Sequence, residues 1–168
     1  INQLGFFCCD DNYKIAYDTI ERLFEFPTWP AEWFMCMPLI VKDYLLYTGD
    51  ADSISSWYPA LKEKLLLELA SEKNMLISME HPNNNYNFPG FSHSGLRELI
   101  DWPINERDDY EFGKFNLVPN CWHYAALQNM SWLAAELNKN DDAKFYYERA
   151  EMVKKSINRF MLKDGIYV

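Results

Sequence analysis

Tyr44-Leu45-Leu46-Tyr47-Thr48-Gly49-Asp50-Ala51-Asp52-Ser53-Ile54-Ser55-Ser56-Trp57 decides the fold. Apolar residues arrive at helical steps through Trp33, Met37, Ile40, Tyr44 and Tyr47. They stop at Gly49, which suits a left-handed helix end. After Asp50-Ala51-Asp52 a new stripe begins, Ile54, Trp57, Leu61, Leu65 and Leu69, with Ser53 placed to cap it. The stretch is a helix, a tight turn and a second helix.

Asn138-Lys139-Asn140-Asp141 repeats this arrangement about 90 residues later. One flanking helix opens at Pro119 and carries Trp122, Ala126, Met130, Leu133 and Leu137. The other carries Ala143, Tyr147, Ala150, Val153, Ile157 and Phe160. Asn140 is a good N-cap, and Asp141 and Asp142 favour the positive helix end. Before the first hairpin, Tyr13, Tyr17, Ile20 and Phe24 mark another helix, and Pro27 and Pro30 bracket a turn. Pro38 removes one backbone hydrogen bond, which predicts a kink or a late start in the helix after Pro30.

Helices are thus expected over about 11–26, 31–48, 53–73, 119–138 and 141–162, with a long loop over 74–118 punctuated by Pro82, Asn83, Asn84, Asn85, Pro89, Gly90 and Gly95. A connection of that length inside one domain is functional or hides short elements of its own. Ala143 to Ala150 taken alone resembles a tetratricopeptide helix, but the tandem spacing of about 34 residues is missing. The fold class is all-α, with helix hairpins forming part of an α/α toroid. Short turns lie on one face and long loops on the other, so a site belongs on the long-loop face.

Composition narrows the function. With 49% hydrophobic and 17% aromatic residues, 168 residues suffice for one domain with a core of its own. Acidic residues outnumber basic ones 25 to 16, a net charge of −9 that argues against nucleic acid and anionic membranes as partners. No apolar run approaches a membrane span. The opening Ile1-Asn2-Gln3-Leu4-Gly5 has no basic region and no initiating Met, and together with the ending Gly165-Ile166-Tyr167-Val168 it suggests a piece of a longer protein. Cys8, Cys9, Cys36 and Cys121 form no CxxC pair, and His81, His93 and His123 have no ligand spacing to them. Buried free thiols are the simpler reading, a vicinal or inter-helix disulfide the alternative; no metal or cofactor is implied.

The richest chemistry lies in Leu99-Ile100-Asp101-Trp102-Pro103-Ile104-Asn105-Glu106-Arg107-Asp108-Asp109-Tyr110, which has neither helical nor strand periodicity. Carboxylates beside flat aromatic faces suit a neutral polyol such as a sugar: acids accept hydroxyl protons, arginine donates, and tryptophan covers the C–H face. The competing reading is a capping and salt-bridge cluster at the start of a helix.

Phe26-Pro27-Thr28-Trp29-Pro30-Ala31-Glu32-Trp33, Tyr47-Thr48-Gly49-Asp50, Ile100-Asp101-Trp102-Pro103 with Glu106-Arg107-Asp108, and the ending from Asn120 to Phe160 with Asp164-Gly165-Ile166-Tyr167 resemble the catalytic domain of bacterial α-L-rhamnosidases, in the same order. The resemblance implies a six-hairpin, (α/α)₆ glycosidase that removes terminal α-L-rhamnose with inversion. It places the family's catalytic acid before the first matched segment and its base beyond Val168, so this chain is a middle portion, 1–168, of the barrel. It further implies substrate-binding roles for Glu32, Trp33, Asp101, Trp102, Glu106 and Arg107, with Trp102 packing against the sugar. Asn120 and His123 open their helix and are candidates to face the site. Glu106 is the fallback proton donor should Asp101–Arg107 be the acid-bearing motif, but the glycine-tryptophan tail of that motif is missing. The implied partners are a carbohydrate substrate and the remainder of the chain's own barrel; a periplasmic or extracellular location is favoured. Two rivals remain: a six-hairpin glycosidase of different sugar specificity, and a non-catalytic helical-repeat module that binds a protein.

Overall fold

The computed structural model describes residues 2–90, 92–100 and 111–167. Six helices occur among them: α1 (Asn2–Phe7), α2 (Lys14–Glu25), α3 (Ala31–Thr48), α4 (Ala51–Glu63), α5 (Leu117–Glu136) and α6 (Asn140–Phe160). The hairpin β1 (Leu162–Lys163) and β2 (Ile166–Tyr167) closes the chain. The protein is mostly helical, as a six-hairpin all-α domain requires.

α3 and α5 pack against each other, and α4 and α6 flank them. Ile54, Leu61, Leu127, Met130, Leu133, Ala150 and Val153 are fully buried between these helices. Along α5 the buried positions recur on almost every side from Pro119 to Ala134, the pattern of a helix inside the core. α2 joins through an aromatic cluster: Tyr17 and Tyr44 lie 5.2 and 5.4 Å from Trp57, and the Trp57 indole N–H donates to Glu21. α1 docks by stacking Phe7 on Tyr47 at 4.7 Å.

Both tight turns have clear local causes. Gly49 adopts φ +68°, and its N–H bonds to Leu45 O at 2.8 Å. Asp50, rather than Ser53, is the N-cap of α4; its carboxylate accepts the Ser53 N–H at 3.0 Å and the Tyr44 hydroxyl at 3.1 Å. At the second turn Lys139 precedes α6 without a side-chain cap, and Asn140 is already helical. Asp142 instead reaches across to α4, where the Tyr58 hydroxyl and the Lys62 ammonium both meet it at 2.8 Å.

Other boundaries differ from the sequence reading. α2 starts at Lys14, not near residue 11, after an Asp10–Asn12 turn in which Asp10 accepts the Asn12 N–H at 2.8 Å. α3 runs unbroken through Pro38. α4 stops at Glu63, about ten residues short of the expected end, because Leu66 turns left-handed at φ +55° and Leu67–Leu69 form a 3₁₀ turn. The leucine stripe still buries Leu65, Leu66 and Leu69 completely, so apolar spacing survived where helical backbone did not. α6 ends at Phe160 because Asp164 and Gly165, at φ +51° and +80°, turn the chain into the β hairpin. All four cysteines are free, but Cys8, Cys9 and Cys121 are exposed rather than buried.

The long connection is organised by asparagines. Asn84 donates to Met79 O and Leu96 O at 2.8 and 2.9 Å and accepts the Leu96 N–H at 2.7 Å. Gly95 sits against it at φ +80°, where a Cβ would come within 3.1 Å of Asn84 O. Leu76, Ile77, Phe88 and Leu96 pin the loop to the core.

Candidate functional site

Residues 97–100 run across the N-termini of α3 and α5, at the end of the helices opposite the tight turns. Arg97 pairs with the approach to α3: its N–H bonds Trp29 O at 3.2 Å and its carbonyl accepts the Ala31 N–H at 2.9 Å. Ala31 opens α3, so this bond satisfies one of the amides that a helix start leaves unpaired.

Glu32 lies one residue further into α3 and is buried. Both its carboxylate oxygens accept the Leu99 N–H at 3.0 Å, and Oε1 also accepts the Ile100 N–H at 3.2 Å. A buried carboxylate is tolerated only when hydrogen-bonded, and backbone amides serve here. Ile100 needs such a hold, because it sits at φ +36°, a conformation costly for a β-branched residue. Glu32 therefore fixes the point from which the chain departs towards Asp101. Its carboxylate is engaged with backbone, so the local geometry gives it a positioning task.

Glu98 lies between these contacts and was not singled out from the sequence. Its Oε2 accepts a 2.6 Å hydrogen bond from Asn116 Nδ2. Asn116, the residue before α5, is itself locked by the Gly113 N–H at 2.7 Å and Gly113 O at 2.9 Å. Burial pushes the Glu98 carboxyl up to about 7; the Asn116 bond acts against this, and the nearby Glu32 and Glu80 charges add to it. A carboxyl that holds its proton near neutrality is a recognised mark of a functional site. It borders a cavity of about 310 Å³ lined by Met79, Glu80, Arg97, Glu98, Phe112, Gly113, Lys114 and Asn116.

Trp33 is 53% exposed and belongs to a different depression. That groove, about 260 Å³, is lined by Leu23, Pro27, Thr28, Phe34, Cys36, Met37, Ile40 and Lys64 and is almost wholly apolar. Lys64 at its edge is buried, lies 4.3 Å over the Phe34 ring, and has its pKa lowered by burial. Burial likewise pushes the Cys36 thiol up to about 11, which makes it a poor nucleophile.

Asn120 and His123 are both completely buried. Asn120 clamps the loop to α5: its Oδ1 accepts the Ile77 N–H at 2.8 Å, and its Nδ2 donates to Ile77 O and Asn116 O. His123 sits within the core, where burial and the Arg149 charge hold it neutral down to about 3. Neither ring nitrogen has a well-formed hydrogen-bond partner, although the Leu65 backbone lies alongside. Neither residue belongs to the Glu98 cavity.

Asp101, Trp102, Glu106 and Arg107 lie outside the described residues, and so does the fallback role of Glu106. Among the described residues no group of His, Cys, Asp and Glu is placed to hold a metal ion. No helix there is long and apolar enough to cross a membrane.

The sequence model of the family described as bacterial alpha-L-rhamnosidase 6 hairpin glycosidase domain matches residues 25–168. No curated protein and no solved structure matches the chain.

Proposed function

The chain belongs to the bacterial α-L-rhamnosidase six-hairpin glycosidase domain family, and from that membership we propose that it works in the removal of terminal α-L-rhamnose from polysaccharides or glycosides, with inversion at the anomeric carbon. The match over residues 25–168 carries this reading, because it takes in the hairpins and the loop that Glu32 anchors.

Inversion needs a carboxylic acid to protonate the leaving oxygen and a carboxylate to activate water on the opposite face, about 6.5–9.5 Å apart. In this proposal that pair comes from outside these residues, and the chain supplies sugar-binding wall. Asp101, Trp102, Glu106 and Arg107 contact the sugar. Glu32 sets where their loop begins. The remainder of the protein's own barrel packs against the groove beside Trp33. This chemistry requires no metal or organic cofactor.

The test is proton NMR of the sugar first released from an α-L-rhamnoside by the full-length gene product. The β anomer appearing first supports the proposal; the α anomer first overturns inversion. Release of a different sugar from a mixed glycoside panel, with rhamnosides untouched, would favour the rival six-hairpin specificity.

A further inference from the structure

We propose that the groove beside Trp33 seats the stretch of this protein that precedes Ile1: a helical continuation of α1 that lies along α3 and brings a carboxylate to the Lys64 ammonium. The proposal rests on the reading that further barrel packs on this face. It adds which segment does so and by what chemistry it docks.

The direction of α1 comes first. Gln3 Nε2 donates to Ile40 O at 3.4 Å, and one turn later the Phe7 ring stacks on Tyr47 at 4.7 Å. Both positions advance together, so α1 runs parallel to α3 and docks on its second half. Followed backwards from Gln3, the line of α1 leads from Ile40 towards Trp33. That stretch of α3 is about 10 Å long, or about seven residues of a parallel neighbour, at a helical rise of about 1.5 Å per residue. Trp33, Cys36, Met37 and Ile40 stand along it at three- and four-residue steps and line the groove, while Met35, Val41 and Tyr44 turn into the core. A continued α1 extends an interface that Gln3 and Phe7 have already begun.

Lys64 supplies the charge. It is the C-cap of α4 and only 6% exposed, with its ammonium 4.3 Å over the Phe34 ring. Among the described residues no carboxylate lies within ion-pair distance of it. A buried ammonium without a carboxylate is unfavourable, and a ring face offsets only part of that cost. No other residue lining the groove carries a charge. The groove therefore suits a helix with an apolar stripe and a single acid at its Lys64 end.

Other occupants fit less well. In a two-fold dimer the same patch meets itself, and its lining contains no acid to meet Lys64. A small molecule would have about 260 Å³, under the range of about 300–1,000 Å³ usual for such pockets.

The experiment is disulfide scanning in the full-length gene product, with Cys8, Cys9 and Cys121 changed to Ser and Cys36 retained. Single cysteines are placed in turn over the two or three helical turns preceding Ile1 and oxidised with copper phenanthroline. The expected result is cross-linking to Cys36 at positions three or four residues apart, with silent positions between them. Trp33→Cys with Cys36→Ser repeats the scan at an exposed thiol, and its pattern should move about three residues further from Ile1, as parallel helices require. Lys64→Glu should slow cross-linking at least fivefold, and Lys in place of the upstream acid should restore it. Cross-linking at no position in either scan, or equally at all of them, overturns the proposal. So do disulfides between two chains, an upstream segment without an acid, or indifference to Lys64→Glu. Rhamnoside hydrolysis by the same variants reads the glycosidase assignment separately: the periodic pattern without turnover supports the docking and refutes the assignment.

Discussion

Glu32, on the first turn of α3, accepts the backbone N–H of Leu99 with both carboxylate oxygens at 3.0 Å, across 67 residues of sequence. The same carboxylate holds Ile100 in its left-handed conformation. Removing it leaves two part-buried amides without their partner, which costs up to about 1–3 kcal/mol for each unmet group. Glu32→Ala is therefore expected to lower stability by about 2–4 kcal/mol in urea unfolding, and Glu32→Gln by less, because the amide oxygen still accepts. Loss under 0.5 kcal/mol, about the effect of an ordinary surface change, would show that the clamp does not form.

Asn120 makes the equivalent hold from α5. Asn120→Ala leaves both backbone groups of Ile77 without their partner, and a loss of about 2–4 kcal/mol is expected. Asn120→Asp retains the acceptor and loses the two donated bonds, and its buried charge is unfavourable. Its loss of stability relative to wild type should be smaller at pH 4 than at pH 7, in chemical denaturation at both values. An equal loss relative to wild type at the two values would contradict the burial of this side chain.

Buried His123 and half-buried Glu98 give the folded state opposite pH dependences. His123 stays neutral down to about 3 against an ordinary 6.5, so between these values the unfolded chain binds a proton that the folded chain refuses. Its stabilisation is present above pH 6.5 and lost as pH falls towards 3. Glu98 keeps its proton up to about 7 against an ordinary 4.5, so its contribution is full below 4.5 and lost as pH rises through 7. Each effect is bounded by about 1.4 kcal/mol per pH unit. His123→Leu should flatten the acid limb of a stability profile, and Glu98→Gln the segment from 4.5 to 7. Profiles that match wild type in both variants would refute the assignments.

The apolar surfaces predict association. Ile15, Leu46, Tyr147 and Trp33 are each more than half exposed, and the Trp33 groove is nearly all hydrocarbon. Large exposed apolar patches drive association. Residues 1–168 expressed alone should elute from size-exclusion chromatography as oligomers or aggregates, and Trp33→Lys should shift them towards monomer. A cooperative, well-behaved monomer would count against packing of further barrel helices on this face.

Sequence periodicity revealed the helix hairpins because their turns carry local chemistry, Gly49 with Asp50 in the first and Asn138 with Lys139 in the second. It overran α4 because Leu65 and Leu69 keep a helical spacing while Leu66 leaves the helix; apolar pattern records burial, not backbone angle. Asp164-Gly165 was a readable hairpin signal that lay hidden under the stripe ending at Phe160. Glu98 carried no local signal. Its raised pKa arises from burial and from Glu32 and Glu80, which are distant in sequence. Asn116 appeared in the sequence as one polar residue among many in a long loop, and only the fold shows that it fixes the Glu98 carboxyl.

Hydrolysis of p-nitrophenyl α-L-rhamnoside, measured in parallel for the full-length gene product and for residues 1–168 alone, tests the central claim most directly. The account predicts turnover by the full-length protein and none by residues 1–168, with the catalytic pair supplied from outside them. Turnover by residues 1–168 alone, or none by the full-length protein, would contradict it.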